Sequence, residues 1–244
     1  YNYMVFWALL PLALWLFLKG LRNKDYRYAL FTALVTVIFS YALTAIAFNV
    51  LLIFTLLYTF LFFFFLGKGK GFFVKYFLTF FICFVLFNFW WVGQLFSFVS
   101  SSSYSDSVSK YFTSNDNLST VKALSEKLGV LSNVFAFLHY DFFANGLSWA
   151  KLFVSPPLLF LNLLTMASIL WIIFKLRKLK EVVFLGLFIT LIIFLMKGVT
   201  PPFGEIFQFI FLTFPPLQVF RNPFEKFSFL LPLAAAPLFG LAIE

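Results

Sequence analysis

Long runs of apolar residues, separated by short polar or charged connections, dominate the chain. Seven runs stand out, at residues 3–18, 28–47, 50–66, 76–96, 153–174, 182–196 and from 227 onward. A helix of about 20 apolar residues crosses the hydrocarbon core of a bilayer, whereas barrel strands would alternate over about ten residues. The pattern therefore predicts an all-α fold, a polytopic transmembrane helical bundle of about seven spans.

Composition excludes a water-soluble globule. Hydrophobic residues make up 63% of the chain and charged residues 11%, against about 25% charged residues in an ordinary soluble domain. The net charge of +9 does not require nucleic acid, because basic clusters beside membrane spans orient the spans and attract anionic lipid. We therefore expect the lipid bilayer as a partner and no nucleic acid.

The basic residues are concentrated in three connections, which hold eleven of the eighteen Lys and Arg side chains. These connections are residues 19–27, 67–75 and 175–181. All three lie on one face if residues 28–66 form two spans joined by a tight reversal near Phe48 and Asn49. The positive-inside rule then places that face in the cytoplasm and the longer connections outside.

This topology divides the chain at the ends of its outer loops. Four spans lie in residues 1–96, two in residues 153–196, and a seventh begins in residues 227–244. The two extracytoplasmic loops are residues 97–152 and 197–226. The chain lacks a starting methionine and stops within an apolar run. We therefore expect an internal piece of a longer protein, with its last span truncated.

The first outer loop contains one helical pattern. Val121, Leu124 and Leu128 recur at helical spacing between Ser119, a candidate N-cap, and Gly129, a candidate helix stop. This spacing predicts a short amphipathic helix that lies on the membrane or on a partner of the loop.

Other side chains in and near this loop favour structural roles. Trp90 and Trp91, at the outer end of the fourth run, are typical of an interfacial aromatic belt. His139 and Asp141 supply two potential metal ligands, which do not make a site, and a turn at the interface is the simpler interpretation. Cys83, the one cysteine of the chain, is expected to be a small buried hydrophobe.

Proline pairs bracket a short apolar run in the second outer loop. Thr200-Pro201-Pro202 precedes residues 206–214, and Pro215-Pro216 follows them. The run is too short to cross a bilayer, and the prolines disfavour a continuous helix. We expect a separate short helix, either interfacial or re-entrant. After this helix, Arg221 is suited to bind a phosphate or, more simply, to anchor the chain at the interface.

The residue types and their spacing in residues 197–227 resemble a segment of large prokaryotic polytopic membrane proteins. The matching residues are Lys197-Gly198, Pro201-Pro202-Phe203-Gly204-Glu205-Ile206, Pro215, Phe220-Arg221-Asn222-Pro223 and Lys226-Phe227. Over this stretch the chain resembles the alpha-arabinofuranosyltransferase-like members of the GT-C glycosyltransferase superfamily and the related YfhO-type membrane proteins. Four positions depart from their pattern: Thr200 for Asn, Phe207 for Tyr, Leu212 for a frequent Glu, and Pro216 for Gly.

The resemblance implies a membrane glycosyltransferase-like protein in the cytoplasmic membrane of a prokaryote. Such a protein would transfer a sugar from a polyprenyl-phosphate donor to an extracytoplasmic glycan, lipid or protein acceptor. The catalytic carboxylate of the superfamily usually lies in the first outer loop, and nothing in the chain matches that position, so the catalytic residues are expected outside the chain. No cofactor is identified, and a divalent cation in the full protein is left open.

The matching loop would then supply substrate-binding residues. Arg221, Lys226 and Lys197 would bring positive charge to the donor phosphate. Glu205 would position a cation or sugar hydroxyls, and Asn222 lies within the same motif.

Two other classes of protein stay open. An ion-coupled transporter would place ionisable groups within its spans, but no Asp, Glu, Lys, Arg or His falls inside the first six predicted spans. A passive path for lipid or polysaccharide could still be lined by aromatic residues. The other class is a non-catalytic scaffold of the cell envelope, in which Arg221 would be an interfacial anchor.

Overall fold

Helices make up all the regular structure that can be described. The structure is a computed structural model that describes residues 2–43, 45–67, 69–99, 114–126, 155–214 and 220–243. Within those residues every regular element is a helix, and the all-α prediction is confirmed for them. The chain divides into two units, Tyr1–Tyr111 and Phe112–Glu244.

The first unit is built around helix α2, which packs against both α1 and α5. Its described helices are α1 (Asn2–Asn23), α2 (Arg27–Ile38), α3 (Ser40–Leu43), α4 (Ile46–Leu66), α5 (Lys70–Phe87) and α6 (Phe89–Val99). Phe17, Tyr76 and Phe80 are fully buried, and the Phe17 ring meets the other two edge-on at centroid distances of 5.1 and 5.5 Å. The Tyr76 hydroxyl donates to the Phe17 carbonyl at 3.3 Å, so even this core tyrosine has a hydrogen-bond partner.

The second unit is built around α9 and α12, which pack against each other. Its described helices are α7 (Ser114–Glu126), α8 (Pro156–Lys175), α9 (Lys180–Met196), α10 (Gly204–Thr213), α11 (Pro223–Phe227) and α12 (Leu231–Ile243). A 3₁₀ turn, Ser228–Leu230, joins α11 to α12. Helix α8 packs on α12, and α9 also packs on α11. Pro156 begins α8 because its fixed φ suits the first helical position and its missing N–H costs nothing there.

Among the described residues, four helices are long and apolar enough to cross a membrane. They are Met4–Asn23, Ala47–Leu66, Lys70–Phe87 and Pro156–Lys175. Many of their exposed side chains are large and apolar, among them Trp15, Ile82 and Leu164. Such a surface is unfavourable in water and favourable in lipid. The chain is accordingly a membrane protein with four candidate spanning helices.

The break between the second and third predicted spans lies earlier than expected. Phe48 and Asn49 both lie inside α4, whereas the helical path is interrupted at Phe39 and again before Ile46. The predicted position of the reversal is therefore wrong. The physical reason is that the Asn49 amide donates to the Leu43 carbonyl at the end of α3, so it satisfies an orphan helix acceptor and does not form the turn itself.

A buried asparagine interrupts the fourth predicted span. Asn88 separates α5 from α6 and is fully buried. Its Nδ2 donates to Thr36 Oγ1 at 2.8 Å and to the Phe84 carbonyl at 2.9 Å, and its Oδ1 accepts from Trp91 Nε1 at 3.0 Å. Trp91 is therefore a buried network member, while Trp90 beside it is exposed.

We expect Asn88→Leu to destabilise the first unit by about 1 kcal/mol, the usual worth of hydrogen bonds between helices in a membrane. The substitution removes the acceptor of the Trp91 indole N–H and the hydrogen bond to Thr36. The measurement is the unfolding midpoint of the chain in detergent micelles. Trp90→Phe is the matched control and should leave the midpoint unchanged, because Trp90 is exposed. An unaltered midpoint for Asn88→Leu would show that the network contributes nothing.

Candidate functional site

Helix α9 ends where the sequence places a glycine and two prolines. Gly198 has φ +61, a conformation that glycine adopts without the penalty of a Cβ, and its N–H donates to the Leu195 carbonyl at 3.3 Å. Pro201 and Pro202 supply no backbone N–H and cannot continue a helix. Phe203, at φ +63, then leads into α10. Residues 197–203 form this tight connection, called here the 197–203 turn.

The ammonium group of Lys197 stabilises this turn from within. Lys197 is 5% exposed, and its Nζ donates to the Thr200 carbonyl at 2.7 Å and to the Pro202 carbonyl. The centroid of the Phe194 ring lies 5.1 Å from Nζ. In return, the Thr200 hydroxyl donates to the Lys197 carbonyl at 2.9 Å. Burial lowers the pKa of Lys197, and the charged amine faces the carbonyl oxygens of its own turn.

Helix α7 packs against the turn through a buried serine. Val121 and Ser125 lie one helical turn apart and are both fully buried. The Ser125 hydroxyl oxygen accepts a hydrogen bond from the Val199 N–H at 3.4 Å. A Cβ on Gly198 would overlap this hydroxyl and lie 2.9 Å from Pro223 Cγ. The turn, α7 and α11 thus meet at Gly198 without room for a side chain.

The short helix predicted around Val121 and Leu124 is present as α7, with a correction to its start. Helix α7 covers Ser114–Glu126 and packs against α10 and α11, so it lies on protein. Ser119 lies inside the helix and is not its N-cap, because the residues before it, from Ser114 on, already adopt helix. Leu128 and Gly129 lie outside the described residues.

The short run between the proline pairs forms a separate helix, as predicted. Helix α10 buries Gly204, Phe207 and Phe211, and the two phenylalanine rings stack at 6.1 Å. A Cβ on Gly204 would overlap the Val199 carbonyl, so glycine is required for this close approach. The buried face therefore holds α10 against the 197–203 turn.

After α10 the chain returns to the same turn at Pro223. The Lys226 N–H donates to the Asn222 carbonyl at 3.2 Å as α11 begins. The ring of Phe220, before α11, stacks at 4.6 Å on the ring of Phe227, the last residue of α11, and both are buried. This packing fixes the backbone that carries the residues between them.

The predicted binding residues differ in their exposure. Arg221 and Glu205 are exposed, Asn222 and Lys226 are half-buried, and Lys197 is buried. The ammonium of Lys197 donates to two carbonyls of the turn, which gives it a structural task that its sequence position did not reveal. Among the three predicted cations, Arg221 is the most accessible.

Sequence analysis missed Ser125 as a part of this region. The available signal was its spacing of four residues from Val121, which places both on one helix face. Nothing in the sequence indicated that this face would meet Val199, which lies 74 residues further along the chain.

Metal binding has no support from the described residues. Within them, no group of three His, Cys, Asp or Glu side chains could hold a metal ion. His139 and Asp141 lie outside the part of the chain that the structure describes. Cys83 is half-buried in α5 and forms no disulfide.

The fold defines the class of protein, a helical membrane protein with four candidate spanning helices. No protein-family model, curated protein or solved structure matches the chain. The resemblance to GT-C glycosyltransferases therefore stays a prediction that rests on the residues of the second outer loop.

We expect Gly198→Ala to destabilise the second unit by about 1–3 kcal/mol, since a non-glycine residue with positive φ is strained and the new Cβ would overlap the Ser125 hydroxyl. The unfolding midpoint in micelles measures this. Adding Ser125→Ala to the variant should recover part of the loss, because it removes the overlap with the hydroxyl and leaves the close approach to Pro223 and the φ strain. The control is Gly71→Ala, where a Cβ meets nothing within 4 Å. Equal stability of Gly198→Ala and wild type would contradict the packing described.

Lys197 should give the stability of the second unit a particular pH dependence. Its pKa in the folded state lies below the ordinary value of 10.5. At a pH below the folded pKa the buried amine is charged, and burial of that charge lowers the free energy of unfolding by its full amount. Between the folded pKa and 10.5 the unfolded chain binds more protons, and stability therefore rises with pH. A neutral amine still donates to both carbonyls, because it keeps two N–H bonds.

The test compares wild type with Lys197→Met from neutral pH to 10.5. The free energy of unfolding of wild type relative to the variant should increase over the upper part of this range. Lys178→Met is the control, since Lys178 is exposed and should show no such trend. A difference that stays constant or falls would show that burial does not govern this amine.

Proposed function

We propose that the chain is part of a GT-C-type membrane glycosyltransferase that transfers a sugar from a polyprenyl-phosphate donor to an extracytoplasmic glycan, lipid or protein acceptor. The observation that carries the proposal is an exposed arginine on a packed support. Arg221 is exposed and directly follows Phe220, which is buried. Two residues later, Pro223 packs beside the 197–203 turn. A guanidinium presents planar paired donors that match a phosphate.

In this proposal the five loop residues have different tasks. Arg221 binds the donor phosphate directly. Lys226 adds positive charge from α11, Glu205 binds sugar hydroxyls or a cation from the first turn of α10, and Asn222 contributes an amide beside Arg221. Lys197 acts indirectly by holding the shape of the 197–203 turn, since its ammonium donates to the Thr200 and Pro202 carbonyls. No catalytic residue is assigned to the chain.

We further propose a seven-span topology in a prokaryotic cytoplasmic membrane. The spans would be α1, α2 with α3, α4, α5 with α6, α8, α9 and α12. Helix α9 has 17 residues, which is at the lower limit of about 17–25 for a spanning helix. The three basic connections would face the cytoplasm, and residues 97–152 and 197–226 would face outward.

The functional experiment compares Arg221→Ala with wild type in membranes that contain the full protein. Radiolabelled polyprenyl-phosphate sugars are supplied, and both donor retention and sugar transfer are measured. A hydrogen bond to a charged group is worth about 1.5–3 kcal/mol, so the variant should lose about tenfold or more in transfer. Arg177→Ala is the matched control, because Arg177 is also exposed but precedes α9, about 25 Å away along a helix that rises about 1.5 Å per residue.

Two outcomes would contradict the proposal. Unchanged donor retention and transfer in Arg221→Ala would remove Arg221 from the donor site. Absence of both activities in the wild type would favour a non-catalytic envelope scaffold or a lipid or polysaccharide transporter, with Arg221 as an interfacial anchor.

A further inference from the structure

The outward face of α10 is largely apolar, with Glu205 in the first turn and Thr213 at the last position as its exposed polar residues. Ile206 is 49% exposed and Phe209 66% exposed, and Leu212 is exposed on the same side of the helix. Phe203 before the helix and Phe214 after it are exposed as well. We call these five residues the α10 stripe. A patch of this kind is unfavourable in a loop surrounded by water and indicates a contact surface.

The stripe cannot turn inward, because the opposite face of α10 is already packed. Phe207 and Phe211 are buried and stacked, and Gly204 lies too close to the Val199 carbonyl to admit a Cβ. Helix α7 packs on α10 as well. The orientation of the helix about its own axis is therefore set by protein contacts, and the stripe is left facing outward.

The segment that carries α10 leaves the rest of the second unit and returns to it at one place. The chain leaves α9 at Gly198 and returns at Pro223, and a Cβ on Gly198 would lie 2.9 Å from Pro223 Cγ. Helices α9 and α11 pack against each other. The ten residues of α10 span about 15 Å at about 1.5 Å per residue, half of a hydrocarbon core of about 30 Å. The helix therefore does not cross a bilayer.

We propose that α10 lies flat in the surface of one leaflet, with the α10 stripe in contact with phospholipid acyl chains. The same unit contains α8, which is long and apolar enough to span, so lipid surrounds this unit. A re-entrant path would push the last carbonyls of α10 into hydrocarbon, where they find no partner. A flat helix keeps both ends among the headgroups, where the exposed Glu205 and Arg221 can be solvated.

This inference needs no sugar donor and is independent of the proposed glycosyltransferase function. The proposed occupant of the α10 stripe is bilayer lipid. A second copy of the chain, another protein or another part of the same chain would be a different occupant, and the experiment separates these from lipid.

The test uses site-directed spin labels in the chain reconstituted into phospholipid bilayers. The single cysteine is first removed as Cys83→Ala, and a label is then attached at Phe209→Cys. Ile82→Cys is the lipid-facing control, because Ile82 is 55% exposed within the candidate span α5. Lys178→Cys, at an exposed position of a basic connection, is the water-facing control. Collision rates with oxygen, which partitions into lipid, and with a water-soluble nickel chelate are measured at each position.

We expect the ratio of oxygen to nickel collisions at Phe209 to exceed the ratio at Lys178 several-fold and to approach that at Ile82. A label at Ile206→Cys should behave in the same way, so the result does not depend on one variant. A ratio like that at Lys178 would show that the stripe faces water and would overturn the proposal. An immobilised label that collides with neither reagent would mean that protein covers the stripe, which would overturn it too.

Discussion

The structure depends on one constraint: backbone carbonyls in apolar surroundings need hydrogen-bond donors. Helices satisfy this requirement within a segment, and a chain with 63% hydrophobic residues has few other ways to do so. Where a helix is interrupted, a side chain supplies the donor. Asn49 donates to the carbonyl of Leu43 and Lys197 to that of Thr200. The Asn88 side chain adds a second donor to the Phe84 carbonyl, which also accepts the Asn88 N–H.

These three interruptions differ in what they accomplish. The Asn49 bond joins α4 to α3, and Asn88 ties the α5 end to Thr36 on α2. The Lys197 ammonium organises a connection outside a helix, where Ser125 and Pro223 leave no room at Gly198 for a side chain. A buried cation is retained there because the carbonyl oxygens of Thr200 and Pro202 replace part of the water that it loses.

The 197–203 turn links the two candidate functional features of the second unit. On one side it holds α10, whose outward face carries the α10 stripe. On the other it packs against Pro223, two residues beyond Arg221. Any ligand that needs both a cation and an apolar surface would meet them on one packed support. A lipid-linked phosphate has that chemistry, and so does an ordinary phospholipid.

The sequence by itself determined the elements whose signals are local. The limits of α9 and α10 followed from apolar run length and from the proline pairs, because these act through the backbone of the same segment. The helical spacing in α7 was equally visible. Its start was misplaced because serine and the polar residues before it are compatible with both a cap and a first helical turn.

Only the tertiary structure decided which polar side chains are structural and which are exposed. Asn88 donates a hydrogen bond to Thr36, which is 52 residues away in the sequence. Val199 donates one to Ser125, which is 74 residues away. Lys197 and Arg221 look alike in the sequence as cations of one motif, yet one is buried among carbonyls and the other is exposed. Burial and hydrogen bonding depend on residues that folding brings together from distant parts of the chain. The local sequence does not determine which residues these are.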